Sequence, residues 1–241
     1  MRYCIALLIL LLLACGSQTI DRQFKELATN TAQDDKADTE PLAATSEPTV
    51  AELPSPTPDL SFAPIELSGT GDSVVNVDKP PIPAIIEISG NSESKHFAIE
   101  SLDAAGETLD LLVNTTEVYH GFRPLDFSRD DQTTRLQVSA TGDWSATIRP
   151  ITTARTLEVP GRIDGTGDDV IKLAGSEPDI ATISGNQDER HFSVIAYYGS
   201  RSPDLLVNTT DVYQGQVVIS NGAIILDVSA ADNWSIEIAG K

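Results

Sequence analysis

Sulfur and imidazole chemistry is scarce in this sequence. Its 241 residues include two cysteines, one methionine and three histidines. Cys4 and Cys15 both fall in the first fifteen residues, so the remainder has no disulfide and no thiolate for catalysis or metal ligation. Any folded domain here must hold together by packing alone. Basic residues are also few: 16 Lys and Arg stand against 36 Asp and Glu, for a net charge of −20. No basic patch with interleaved aromatics occurs, which argues against nucleic acid as a partner. The longest apolar run, Ile5–Leu13, is too short to cross a bilayer as a helix, which takes about 20 residues. A Gly-rich phosphate loop, a nucleophile elbow and an HExxH helix are all missing.

What the chain does have is a repeat. Asp110–Gly121 reads DLLVNTTEVYHG and Asp204–Gly215 reads DLLVNTTDVYQG, with ten of twelve positions identical. GTGDSVV at Gly69 matches GTGDDVI at Gly165, ISGNSESKHFAI at Ile88 matches ISGNQDERHFSV at Ile183, and LQVSATGDWSATI at Leu136 matches LDVSAADNWSIEI at Leu226. The offset between partners drifts from 96 residues (Gly69 to Gly165) to 90 (Trp144 to Trp234). Length changes fall between the matched blocks, as they do when strands are joined by variable loops. This is a tandem duplication of a whole unit.

The first fifteen residues, MRYCIALLILLLLAC, form a targeting segment with one basic residue, Arg2, before the apolar run. Leu12-Leu13-Ala14-Cys15 closes that run and resembles the lipobox of bacterial lipoproteins. The resemblance implies a signal peptide over 1–14, diacylglyceryl modification of Cys15, and a lipid anchor on the extracytoplasmic side of a bacterial cell membrane. Residues 15–64 then form a tether rich in Pro, Thr, Asp and Glu, with Pro41, Pro48, Pro54, Pro56, Pro58 and Pro64 among few apolar residues. Such a composition buries too little to order itself, so this linker is expected to be disordered. The two repeats carry a net −8 each over 65–151 and 158–241, which repels anionic lipid and leaves the anchor as the membrane contact.

The repeats are expected at 65–150 and 158–241, with Ile151–Leu157 as their connector. Leu136, Val138 and Ala140 alternate with polar residues, and so do Trp144, Ala146 and Ile148, with Gly142-Asp143 between them. Each copy therefore contains a β-hairpin with apolar residues on one face. Further strands are expected at Ser73–Val77, Ala84–Ser89, His96–Ser101, Leu109–Val113 and Tyr119–Phe127. The fold class is all-β: two tandem antiparallel β-sandwiches of jelly-roll-like form after a disordered linker. GTGD, HF and DLLVN resemble the turn, aromatic pair and strand of jelly-roll-like accessory modules of the bacterial pre-peptidase C-terminal type. That likeness implies a noncatalytic surface module with no particular ligand.

Few residues invite chemistry. His96 and His191 recur before a Phe, on the outward side of an alternating strand. With Asn114, Tyr119, Asn208 and Tyr213 they make up the candidate ligand-binding set. A zinc site lacks ligands, because His120 is matched by Gln214. Asp164, Asp168 and Asp169 around two glycines form the candidate calcium site, calcium being the one cofactor considered. Copy one offers only Ser68, Asp72 and Ser73 there, so a tight turn capped by Asp is the preferred reading. Trp144 and Trp234 share a face with Ile148 and Ile238 and are expected to be buried.

The function expected is a membrane-anchored lipoprotein displaying two binding or scaffolding modules, with a cell-surface protein or glycan as partner and no catalysis. The alternatives are a glycan-active enzyme or carbohydrate-binding accessory, and a calcium-stabilised spacer.

Overall fold

The structure is a computed structural model and describes residues 60–241 except 129 and 200. Cys15, the signal peptide and most of the tether lie outside the described residues. The described chain is all-β. Its first sandwich has eight strands: β1 (Ile65–Thr70), β2 (Ser73–Asn76), β3 (Ala84–Gly90), β4 (Phe97–Leu102), β5 (Thr108–Thr115), β6 (Tyr119–Leu125), β7 (Arg135–Ser139) and β8 (Asp143–Pro150). A short 3-10 turn, Ile151–Thr153, leads into β9 (Arg155–Val159). The second sandwich continues with β10 (Gly161–Thr166), β11 (Asp169–Gly175), β12 (Pro178–Gly185), β13 (Phe192–Tyr198), β14 (Asp204–Thr209), β15 (Tyr213–Val218), β16 (Ala223–Ser229) and β17 (Asn233–Gly240).

The sheets of the first sandwich run β1-β8-β3-β6 and β2-β7-β4-β5, and those of the second run β10-β17-β12-β15 and β14-β13-β16-β11-β9. Strand for strand the two orders are the same, apart from β9. The nesting of outer pairs (1 with 8, 2 with 7) around inner pairs is the jelly-roll arrangement, two Greek keys folded into facing sheets. Pairing is antiparallel throughout with one exception: β9 lies parallel to β11, Leu157 opposite Leu173. The stretch read from the sequence as a connector is thus partly a strand, and it belongs to the second sandwich, where Leu157 and Val159 are buried. Of the aligned residues of copy one, Leu60–Ala63 form no strand, although Phe62 packs on that core.

Each core forms because alternating apolar residues of both sheets face inward. Phe97, Ile86, Ile88, Ile99, Leu136 and Ile148 are fully enclosed in the first, and Phe192, Ile171, Ile183, Ile219 and Leu226 in the second. Trp144 and Trp234 are buried as well. Their rings lie under glycines: a Cβ on Gly69 would come within 2.7 Å of Trp144, and one on Gly165 within 2.1 Å of Trp234. Each indole N–H donates to a turn carbonyl, Trp144 to Gly71 (3.2 Å) and Trp234 to Gly167 (2.9 Å), which satisfies the one polar atom of an otherwise apolar side chain.

A third apolar cluster lies between the sandwiches. Ile85 of β3 and Phe122 of β6, on the outer face of the β1-β8-β3-β6 sheet, meet Val170 of β11, Ile225 of β16 and Tyr197 of β13, on the outer face of the β9-containing sheet. Ile151, Ala154 and Phe127 complete it. The two sandwiches are therefore held face to face by a buried apolar seam.

Candidate functional site

The repeated motifs serve the same structural purposes in both copies. In GTGD the second glycine turns the chain with φ of 73° (Gly71) and 72° (Gly167), a left-handed conformation that glycine adopts without strain. The Asp that follows accepts the backbone N–H of the β7–β8 or β16–β17 turn, Ala140 to Asp72 (3.0 Å) and Ala230 to Asp168 (2.9 Å). In ISGN the Asn is a buried staple. Asn91 donates to the carbonyls of Lys95 and Glu117 and accepts from the Lys95 N–H, and Asn186 does the same with Arg190 and Asp211. In NTT the first threonine hydroxyl accepts from the N–H two residues on, Glu117 to Thr115 (3.1 Å) and Asp211 to Thr209 (3.0 Å).

The candidate calcium carboxylates are not brought together. Asp164 is exposed and bonded to Arg162, which holds its carboxyl below the usual range. Asp168 is bonded to Tyr119, Ser229 and Ala230. Asp169 is paired with Arg155 at 2.6 Å, yet burial pushes its carboxyl up. Among the described residues, no group of three or more His, Cys, Asp and Glu is placed to hold a metal ion. Each of the three carboxylates has its own partner in the protein, and Asp168 caps the turn at Gly167 through the Ala230 N–H.

The candidate ligand set also divides. His96, Asn114, His191 and Asn208 are exposed. Tyr119 and Tyr213 turn inward instead, their rings tilted against Phe97 (6.4 Å) and Phe192 (6.2 Å). The six residues therefore do not form one surface. No glycan-stacking platform arises from these tyrosines or from the buried tryptophans.

Tyr119 and Asp168, candidates for two separate sites in the sequence, meet in one charged cluster with Arg123 and Asp227, which the sequence did not single out. Tyr119 donates across the seam to Asp168 at 2.7 Å, and the Phe122 N–H donates to the Asp168 carbonyl at 3.1 Å. Burial, with Asp168 beside it, drives the Tyr119 hydroxyl far above its ordinary pKa. Arg123 reaches Asp227 at 3.1 Å and Asp168 at 3.8 Å. The Arg123–Asp227 approach is one of charge without an aligned hydrogen bond: Arg123 Nη1 and Asp227 Oδ1 are both buried without a hydrogen-bond partner. Burial pushes the Asp227 carboxyl up to about 7, against the opposing pull of Arg123. Gly121 lets the turn of copy two dock here, since a Cβ there would meet the Asp168 Cβ at 2.8 Å. The signal lay in the differences between copies, because Phe122, Arg123 and Asp227 align with Gln216, Val217 and Gln137.

Concavities also occur among the described residues. A cleft of 160 Å³ beside the seam is lined by Asp110, Asp126, Asp131, Phe127 and Tyr197. Its Asp126 is committed to a buried ion pair with Lys79 at 2.6 Å and to Thr133. Two open depressions of 420 and 520 Å³ lie on the β10-β17-β12-β15 sheet, one beside Asp164, Ser184 and Asn233, the other beside Thr182, Gln216 and Glu237.

No protein-family model and no curated protein matches the chain. Among solved structures it is similar to the regulatory subunit of a cAMP-independent protein kinase A from Trypanosoma brucei, at 12% identity and a TM-score of 0.23, over 73% of this chain and 74% of that one. The corresponding subunit from Trypanosoma cruzi, bound to guanosine, is similar at 10% identity and a TM-score of 0.23, over 73% and 72%. Likeness at this level bears on neither ligand nor activity. The class is set by the strand order: two jelly-roll sandwiches in tandem.

Proposed function

We propose that this protein is a lipid-anchored extracytoplasmic lipoprotein that presents two joined β-sandwiches as a binding or scaffolding unit. The observation that carries the binding role is how the repeated motifs are used. GTGD, ISGN, the paired tryptophans and the first threonine of NTT are all taken up by turns, staples and core packing. What they hold in place is a body whose remaining distinctive residues are on its surface and in its seam. The anchor rests on the apolar run ending in Leu-Ala-Cys15 and on the tether composition. A catalytic reading receives less support, since the acidic cleft already spends Asp126 on Lys79.

Metabolic labelling with a palmitate analogue, followed by membrane fractionation, tests the anchor. The wild-type chain is expected to carry label and sediment with membranes, while Cys15→Ser carries none and is released or retained as precursor. Equal labelling of both would overturn it.

A further inference from the structure

The duplication lets each exposed residue be compared with its counterpart in the other copy, and one strip stands apart. Outside the DLLVNTT block, most pairs exposed in both copies differ: Glu66 is Arg162, Ser68 is Asp164, Ser94 is Glu189. Within and beside it, Leu111 and Leu205, Asn114 and Asn208, Thr116 and Thr210, Val118 and Val212, and His96 and His191 are exposed and identical. None of these side chains has a hydrogen bond or ion pair inside the fold. Leu111 (47% exposed), Leu205 (59%), Val118 (65%) and Val212 (48%) instead place apolar surface in water twice over.

Their placement gives the strip a use. β5 and β14 are the terminal strands of their sheets, each paired on one side only, with β4 and β13. A β-bulge recurs in both pairings, between Ile99 and Glu100 and between Val194 and Ile195. It leaves Leu112 and Val113 turned inward and Leu111 outward. An unpaired strand edge is a template for an added strand, and alternate side chains supply the selectivity. Acids flank both strands, Glu100 opposite Leu111 with Glu107 just before β5 in one copy, and Asp211 just after β14 in the other. The nearby Arg190 and Arg201 are already paired, with Glu117 and Asp204. The Arg190–Glu117 contact also brings the end of the first strip against the start of the second.

We infer that β5 and β14 are two equivalent docking edges for an extended, basic polypeptide segment, which adds to each sheet as a strand with its apolar residues over Leu111 or Leu205. The inference rests on the binding-module reading and names its partner. It is independent of the anchor, so failure of lipidation would leave it standing and the reverse also holds.

The probe is an end-blocked peptide of alternating lysine and valine, about ten residues long, titrated calorimetrically into the full chain in detergent at about 0.15 M salt. Two sites per chain are expected. Leu111→Lys should remove one of them, and Leu111→Lys with Leu205→Lys should weaken binding by about tenfold or more at an unchanged melting temperature. The same peptide methylated on every second backbone nitrogen keeps its charge but cannot pair along one edge, and should bind about tenfold more weakly. Absence of binding, equal binding of the methylated peptide, or indifference to both leucine substitutions would each overturn the proposal.

Discussion

Arg123 of the first sandwich lies 3.1 Å from Asp227 of the second, and neither residue has an ionic counterpart in the other copy. Their contact marks where two duplicated units stopped being interchangeable. Breaking such a pair by removing one partner is costlier than the pair is stabilising, because a buried charge is left behind.

The sign of the Asp227 effect can be worked out. Burial raises its carboxyl to about 7 in the folded protein, above the roughly 3.9 of an unfolded aspartate. Between those values the folded state holds a proton that the unfolded state has lost. The stabilisation is thus complete below the unfolded value and is lost as pH rises through the folded one. Wild type should lose stability relative to Asp227→Asn from about pH 4 to about pH 7, by at most about 1.4 kcal/mol per pH unit. Urea unfolding of both proteins across that range checks it, and parallel curves would refute it.

Tyr119 and Tyr213 occupy equivalent positions, but only Tyr119 bonds across the seam, to Asp168. Tyr119→Phe is expected to cost about 1–3 kcal/mol, the range for a hydrogen bond to a charged group whose partner is left unsatisfied. Tyr213→Phe should fall within about 0.5 kcal/mol of wild type. Denaturant midpoints for the two variants separate a joint between sandwiches from a simple core tyrosine.

Calcium should leave the melting temperature where a chelator leaves it. Asp164, Asp168 and Asp169 are each bonded to protein groups, so an ion would have to displace Arg162, Tyr119 and Arg155. A ligand that binds only the folded state must raise the midpoint. A clear rise at millimolar calcium would restore the spacer reading.

Much of the fold was readable in the sequence. The alternation through Leu136–Ile148 implied two strands with Trp144 inside, and β7, β8 and the burial of Trp144 agree. The expected hairpin does not form: β7 pairs with β2 and β4, and β8 crosses to the facing sheet to pair with β1 and β3, because both strands turn their apolar residues into the same core. β9 was not readable, because Arg155–Val159 is short and its partner β11 is parallel and lies beyond β10. Whether Tyr119 faces the core or solvent was not readable beside its polar turn, because the Asp168 that covers it lies 49 residues away. The seam was hidden for a related reason. Attention to what the copies share passes over Phe122 and Asp227, whose importance lies in what they do not share.

That difference also limits growth. The outer face of the β10-β17-β12-β15 sheet is the duplicate of the face that docks in copy one, and Ile180, its match for the buried Ile85, is 39% exposed. A contact that joins one face to a different face does not close on itself, and if every unit kept both faces it would propagate into a filament. Gln216 in place of Phe122 and Gln137 in place of Asp227 remove one of the seam's aromatics and one of its acids from the corresponding faces of the other copy. Gln216→Phe with Gln137→Asp is therefore the pair of changes expected to make the uncovered faces resemble the joined ones and to favour end-to-end association of chains.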